Sequence, residues 1–550
     1  MVVPELRSWR AARPQVTRVA NAVRPRLARA KDAVRPGLVR ATGTVRPRLA
    51  RAVTAVKPQV TRVARAAKPQ VARITGPKTW QYTAGAATAG LALAAGVVTA
   101  AGPWDSTGQR TAERDRAAAQ EQRGGADHDG AAGTTGAGPQ PAPSAASVLT
   151  GLGGAGNSVK SAPAGSALAE LLSPLLRDAA LGARRAAAVV DVATGKRLYG
   201  TGADQALTPA STTKIATAVA ALSALGADHR LTTRAALEPD TDELVLVGGG
   251  DPTLTAHRDA EGWASLRTLA DDTAAALKKR DIREVTLSYD TTLYAGSELH
   301  PIGVNDNLAP VTALMADEAR TDDSVSGPVP RVTDPAADAT RTFAGLLRDK
   351  GIKTTPPGPS KATGRAESLA TVSSPPLSTV VERMLTNSDN DIAEALARQT
   401  AVATGARADF DGAGRAIRAQ LKKLGLPVAG AAFKDGSGLD RDDRLTADLL
   451  TALLVKAGDP TRPELRAALT GLPVAGFTGT LTSRYADGAA GIVRAKTGTL
   501  TGVNTLAGTV VDQDGRLLAF AFLASDTTDA AAAQAALDRT ATALAACGCR

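Results

Sequence analysis

The hexapeptide Pro209-Ala210-Ser211-Thr212-Thr213-Lys214 leads into Ile215, Val219, Leu222 and Leu225. These apolar residues recur at four and three, which predicts a helix starting near Ser211 with one stripe facing a core. Ser211 and Lys214 are three apart and share a face, one turn from each other. A serine hydroxyl is a poor nucleophile until a base takes its proton. A lysine amine can be that base once burial or a cationic neighbour lowers its pKa. Taken alone, S-x-x-K is equally a helix cap followed by a solvated lysine.

Two further motifs lie downstream. Asn387-Ser388-Asp389-Asn390 falls between two helical runs, Leu377 to Leu385 and Ile392 to Ala401. Polar groups between apolar helices suggest a loop aimed at a cleft. There Ser388 can relay a proton, and Asn390 can donate to a carbonyl and accept from a lysine. The plain alternative is an ordinary Asn/Ser/Asp cap. Val493-Arg494-Ala495-Lys496-Thr497-Gly498-Thr499 opens a β-rich stretch. Val503 to Val511 and Arg516 to Ala524 flank the turn signal Asp512-Gln513-Asp514-Gly515 and read as antiparallel strands. On an edge strand Lys496 would attract a carboxylate, Gly498 would let backbone pass close to a substrate, and free N–H groups would polarise a carbonyl.

Upstream, Leu168, Leu171, Leu172, Leu175 and Leu176 suggest a helix, and Ala186–Asp191 with Lys196–Tyr199 a hairpin. S-x-x-K, S-x-N and K-T-G thus occur in that order, 177 and 108 residues apart, on a helix start, an interhelix loop and a strand. The set resembles the penicillin-recognising serine acyl enzymes.

Within that group the chain resembles the D-alanyl-D-alanine carboxypeptidase/endopeptidase family of the penicillin-binding protein 4 type (peptidase family S13). The resemblance rests on P-A-S-T-T-K with T-A-x-x-A-L-x-x-L-G behind it at 209–226, and on Val247-Gly248-Gly249-Gly250-Asp251-Pro252-Thr253-Leu254. It also rests on Ser373-Ser374-Pro375-Pro376-Leu377, on Ala393-Glu394 after Asn390, on Asp435-Gly436-Ser437-Gly438-Leu439, and on Gly479-Thr480-Leu481. Terminal Cys547-Gly548-Cys549 fits as well. The match covers about 165–550.

The resemblance implies an α/β (α+β) fold of the serine transpeptidase/β-lactamase type. In it an antiparallel sheet is packed with helices, and a domain is inserted between the first and second motifs. It implies Ser211 as acylated nucleophile, Lys214 as its base, and Ser388 and Asn390 on the proton path and the substrate amide. It further implies Lys496, Thr497 and Gly498 at the substrate's carboxylate. Thr499 would complete an oxyanion hole with the N–H of Ser211, and its side chain is a second carboxylate ligand. The expected substrates are peptidoglycan stem peptides, with β-lactams as covalent inhibitors and no metal or cofactor. A β-lactamase, a β-lactam-sensing domain and a polyanion-binding protein are the competing readings.

Composition bounds the rest. The 550 residues exceed one ordinary domain. Aromatics are 3%, too few for extended base-stacking platforms, so nucleic acid is not an expected partner of the body. His128, His229, His257 and His300 stand far apart and both cysteines are terminal, which argues against a zinc finger or a Cys/His catalytic pair. A Cys547–Cys549 link would close a small ring; free thiols are the alternative. Asp435-Gly436-Ser437-Gly438 reads as a tight structural loop near the cleft rather than a second nucleophile.

Charge is uneven. Residues 1–80 hold 19 Lys and Arg against Glu5 and Asp32, leaving 46 basic and 52 acidic groups for the remainder. Prolines recur every eleven residues at 14, 25, 36, 47, 58 and 69, each after Arg or Lys, so short basic amphipathic pieces are expected. Such an arm is a solvated tail, a membrane-surface ligand or a polyanion binder. Residues 82–103 carry no charge and lie between Trp80 and Trp104, which predicts a membrane span with the arm cytoplasmic and the body outside, or a leader cleaved on secretion. The expected organisation is therefore an arm at 1–80, a transmembrane or signal-anchor segment at 81–104 and a flexible linker at 105–147. A catalytic domain follows at 148–235 and 369–550, with the inserted domain at 236–368.

Overall fold

The computed structural model describes residues 165–485 and 488–548. In chain order these form α1 (Gly165–Leu176), β1 (Arg184–Asp191), β2 (Arg197–Thr201), α2 (Thr213–Leu225), β3 (Thr232–Leu237), β4 (Glu243–Val247) and α3 (Leu266–Lys278). Next come β5 (Glu284–Asp290), α4 (Pro335–Asp349), β6 (Lys353–Thr354), β7 (Gly358–Pro359), β8 (Glu367–Ser373), α5 (Leu377–Asn387), α6 (Asn390–Ala403) and α7 (Phe410–Lys423). The remainder are α8 (Ala447–Gly458), α9 (Ala467–Thr470), β9 (Arg494–Leu500), β10 (Val503–Val511), β11 (Leu517–Ser525) and α10 (Ala530–Ala545).

The first sheet is antiparallel throughout, in the order β2-β1-β11-β10-β9. Its three inner strands, β1, β11 and β10, are buried on both faces, and side-chain alternation sorts each of them between two cores. On β11, Ala519, Ala521 and Leu523 join a core built with α2, α5, α6, α7 and α8. Leu518, Phe520 and Phe522 point the other way, against α1 and α10. Small residues on the first face let the helices approach, while the stacked Phe520 and Phe522 rings fill the second. The result is helix, sheet, helix in three layers.

α2 lies at the centre of the first core. From Thr213 to Leu222 every residue is buried, so this helix is apolar all round, not striped. Its register is therefore held by neighbours on every side.

The second sheet runs β6-β5-β4-β3-β8, with β7 beside β5. β4 and β5 are parallel, with α3 in the connection between them. α3 and α4 pack Leu269, Leu277, Phe343 and Leu347 onto it as a third core. Ser265 caps α3 through the Thr268 N–H, and Asp334 caps α4 through that of Ala337. After β5 the chain makes a long irregular excursion, residues 291–334, before α4. This excursion forms one wall of the cleft described below.

One expectation is corrected here. No helix among the described residues is long and apolar enough to cross a membrane. The single-pass anchor, the membrane as a partner and placement at the cell membrane are withdrawn with it. The stretch proposed to span, 82–103, lies outside the described residues, as do the basic repeat and linker. Its lack of charge reflects Ala and Gly, which contribute little transfer free energy per residue, so length without charge was a weak criterion. At the other end of the chain, Cys547 is disulfide-bonded.

Candidate active site

Ser211 sits in a 3-10 turn, Ala210–Thr212, immediately before α2. Ala210 has a φ of +47°, a strained conformation for a residue with a Cβ. Close packing holds it there. A Cβ on Gly438 would lie 1.9 Å from the Ala210 oxygen, and one on Gly498 would lie 2.7 Å from the Pro209 oxygen. Both glycines are thus required where backbone runs against the turn carrying Ser211.

Lys214, one turn into the chain from Ser211, is wholly buried. Its Nζ lies 3.1 Å from Ser211 Oγ, 2.7 Å from Asn390 Oδ1 and 2.7 Å from the Ser437 carbonyl oxygen. The two oxygens can only accept. Asn390 is fixed in this orientation because its Nδ2 donates to the Asn307 oxygen at 2.9 Å. A neutral lysine amine would spend its two N–H bonds on these oxygens and turn its lone pair toward the Ser211 hydroxyl. Burial lowers the pKa of Lys214 to about 8, against the opposing pull of Asp435, Glu394, Asp389 and Asp443.

A second lysine–serine pair adjoins the first. Ser388 ends α5 in the left-handed conformation, with a φ of +60°, and Asp389 caps α6 by accepting the Ile392 N–H. The expected interhelix loop is therefore two residues long. Lys496 Nζ donates to Ser388 Oγ at 2.8 Å and to the Thr497 oxygen at 2.9 Å. Lys496 is wholly buried. Burial, then Lys214, then Arg484 lower its pKa well below the ordinary lysine value. It lies on β9, the edge strand of the first sheet. Thr497 Oγ1 is 2.9 Å from Thr480 Oγ1, and Thr499 Oγ1 accepts from Gln534 Nε2.

The structure thus links Ser211 with Lys214 and Asn390, and Ser388 with Lys496, and packs Gly498 against the turn before Ser211, while the Thr497 side chain meets Thr480. Ser211, Ser388, Asn390 and Thr499 line a cleft of about 230 Å³. Asn307, Arg320, Arg331 and Leu439 are further lining residues that sequence reading missed. A larger groove of about 740 Å³ shares Arg320 and Asn387 with it but is lined by none of Ser211, Ser388, Asn390 and Thr499. Chemistry, and not volume, makes the smaller one the candidate site.

Behind the cleft the loop Asp435–Gly438 is packed from below. Glu394 accepts N–H bonds from Gly436 and Ser437 at 2.8–3.1 Å. Burial, then Asp435, push its carboxyl up to about 7. The Ser437 hydroxyl is buried and bonded to Asp435, which fits the structural reading of that motif.

Among the described residues two side-chain groups have metal-ligand composition, His300/Glu394/Asp435 and Glu318/Asp389/Asp391. In the second, arginines already supply positive charge. Glu318 pairs with Arg320 and Arg383, and Asp391 with Arg331.

Comparison with known proteins agrees with this geometry. Residues 168–330 and 325–544 match the D-Ala-D-Ala carboxypeptidase 3 (S13) family. The chain is 36% identical to carboxypeptidase DacB of Mycolicibacterium smegmatis over 376 residues, covering 66% of this chain and 80% of that one. It is 31% identical to a D-alanyl-D-alanine carboxypeptidase of Actinomadura sp. over 431 residues, covering 64% and 79%. Its fold is similar to the crystal structure of penicillin binding protein 4 from Haemophilus influenzae, with a TM-score of 0.57 at 21% identity over 68% of this chain and 98% of that one. The chain belongs to the D-Ala-D-Ala carboxypeptidase 3 (S13) family.

Proposed function

We propose that this protein is a serine D-Ala-D-Ala carboxypeptidase in which Ser211 is acylated by the penultimate D-alanine of a peptidoglycan stem peptide. One observation carries the reading: the buried Lys214 amine stands 3.1 Å from Ser211 Oγ and is held by two acceptor-only oxygens, so the free amine has its lone pair available to that hydroxyl. Lys214 takes the hydroxyl proton as Ser211 Oγ bonds to the carbonyl carbon. The N–H groups of Ser211 and Thr499 stabilise the oxyanion. Ser388 gives its proton to the departing nitrogen as the C–N bond breaks, and the proton that Lys214 took from Ser211 is passed on through Lys496 to refill Ser388; D-alanine leaves and Lys214 is again a free amine. Water then repeats the sequence on the ester and frees Ser211. Asn390 holds the substrate amide. Thr497 and Thr499 receive the terminal carboxylate across Gly498, and an arriving carboxylate would favour the ammonium form of Lys496. A β-lactam acylates the same serine, but its leaving nitrogen stays tethered.

The division into a catalytic domain at 148–235 and 369–550 and an inserted domain at 236–368 belongs to the same proposal. Strands β3 and β8, paired near the two ends of the inserted stretch, support it. An endopeptidase cut uses the same groups with a larger leaving segment. The 740 Å³ groove beside the cleft favours it as a second activity.

Mass spectrometry of the protein with penicillin, a stem pentapeptide and a crosslinked muropeptide tests the assignment. The expected results are a penicilloyl adduct on Ser211, release of D-alanine, and loss of both in Ser211→Ala. An adduct that survives in Ser211→Ala would sink it. Rapid turnover of penicillin without D-alanine release would make it a β-lactamase instead.

The acylation rate should also depend on pH in a set direction. Only unprotonated Lys214 can act as base, so the rate should rise through about pH 8. A rate that is flat from pH 6 to 10 would count against Lys214 as the base.

A further inference from the structure

Lys214 is held at one of its three contacts by a backbone oxygen, and that peptide group has a second end. The Ser437 carbonyl accepts from Lys214, while the N–H of the same peptide, that of Gly438, donates to Asp435 Oδ1 at 2.6 Å. Asp435 is buried. Its other oxygen, Oδ2, accepts from the Asp440 N–H at 2.6 Å and faces His300 Nε2 at 3.0 Å. His300 Nδ1 in turn accepts the Ile302 N–H at 3.2 Å. That bond requires an unprotonated Nδ1, so Nε2 carries the hydrogen and donates it to Asp435. Imidazole, carboxylate, peptide and lysine thus form one continuous chain of hydrogen bonds.

We propose that Asp435 and His300 are positioning residues for acylation, acting on Lys214 through the Ser437–Gly438 peptide. The inference rests on Lys214 being the base. A carboxylate on the N–H end of a peptide polarises its carbonyl, which strengthens the bond that keeps Lys214 aimed. In water the carboxylate would act weakly, but here all members are buried. His300 comes from the 291–334 excursion and reaches the catalytic base without itself lining the cleft.

Every charged group facing the chain bears on its titration. Glu394 and Arg398 come from α6, Asp440 and Asp443 from the loop, Asp389 from the α5–α6 junction, and Lys496 from β9. Burial works against ionisation of Asp435, but the His300 bond and the Gly438 and Asp440 N–H groups outweigh it and hold its pKa below the usual value. Burial opposes a second proton on His300, while Asp435 and Glu394 favour it and raise its pKa on balance. A proton on Nδ1 would displace the Ile302 N–H.

The test compares penicillin acylation of Ser211 from pH 5 to 10 in Asp435→Asn, His300→Phe and the unsubstituted full chain. Asp435→Asn removes a negative charge that favours the Lys214 ammonium, so the acidic limb should move to lower pH by about half a unit or more. His300→Phe keeps the ring edge against Phe410, 5.1 Å away between centroids, but leaves the Asp435 charge less satisfied. Its limb should move to higher pH. A merely structural role would lower both rates and move neither limb. If both limbs coincide with that of the unsubstituted protein, the relay is wrong. If one variant does not fold, the limb of the other decides. Should Ser211 never acylate in the unsubstituted protein, the reading of the site fails first, independently of the relay.

Discussion

Methionine in place of Lys214 is expected to slow acylation of Ser211 by penicillin roughly 10²–10⁴-fold, the range for loss of a general base. The side chains are similar in length, so the buried space that Lys214 occupies stays filled. What disappears is the only basic nitrogen within hydrogen-bond reach of Ser211 Oγ among the described contacts. Asn390 Oδ1 and the Ser437 oxygen are left without their donor, which costs about 1–3 kcal/mol for each unsatisfied group. The variant should therefore be less stable but folded. Adduct formation at pH 8, followed by mass and set against the thermal midpoint, separates the two effects. A folded variant that keeps more than a tenth of the rate would remove Lys214 from the mechanism. Lys496, acting through Ser388, would then be the remaining candidate base.

Gly438→Ala is expected to be the most damaging single methyl in the described structure near the site. The added carbon would sit 1.9 Å from the Ala210 oxygen and 2.9 Å from Thr213 Oγ1, at a φ of +83°. Backbone on the other side is already strained, with Ala210 at +47°, so it cannot yield without moving Ser211. Roughly 3–5 kcal/mol should be lost, in line with overpacking added to a disfavoured dihedral. Gly425 provides the control. Its φ is +75° but nothing lies within 4 Å, so Gly425→Ala carries the dihedral cost alone, about 1 kcal/mol. Denaturant unfolding of the two variants measures the difference. Equal losses would mean that the turn before Ser211 gives way easily, and that the strain at Ala210 has no structural grip.

The chemistry of the cleft was legible because each motif carries its own local signal. Ser211 and Lys214 share one turn, Ser388 and Asn390 punctuate two apolar helices, and Lys496 precedes a glycine in a β-rich run. β10 was read with the same bounds it has in the structure, because a four-residue turn separates two long apolar stretches. The parts that escaped depend on distance along the chain. β3 and β8 are short and only partly buried, and they pair across more than a hundred residues. His300 and Asp435 are 135 apart. The second acceptor of Lys214 is a main-chain oxygen, which has no residue type to betray it. The segment 82–103 shows the converse error, where an uncharged run was given more weight than its small side chains support.

The order of strands in the first sheet has a consequence for how the protein is made. β1, near the start of the described chain, lies between β2 and β11, and Arg184 is paired with Ser525. β1 can close a hairpin with β2 as soon as both are synthesised, but its other edge stays open until β11, more than three hundred residues later, has been made. β9 and β10 must wait for the same final strand, because β11 joins them to β1. Lys496 therefore cannot meet Ser388, nor the turn bearing Ser211 its backing strand, before the C-terminal segment arrives. Such long-range pairing slows folding and exposes an unpaired edge meanwhile. A nascent chain halted before Leu517 would carry every motif of the active site and no active site.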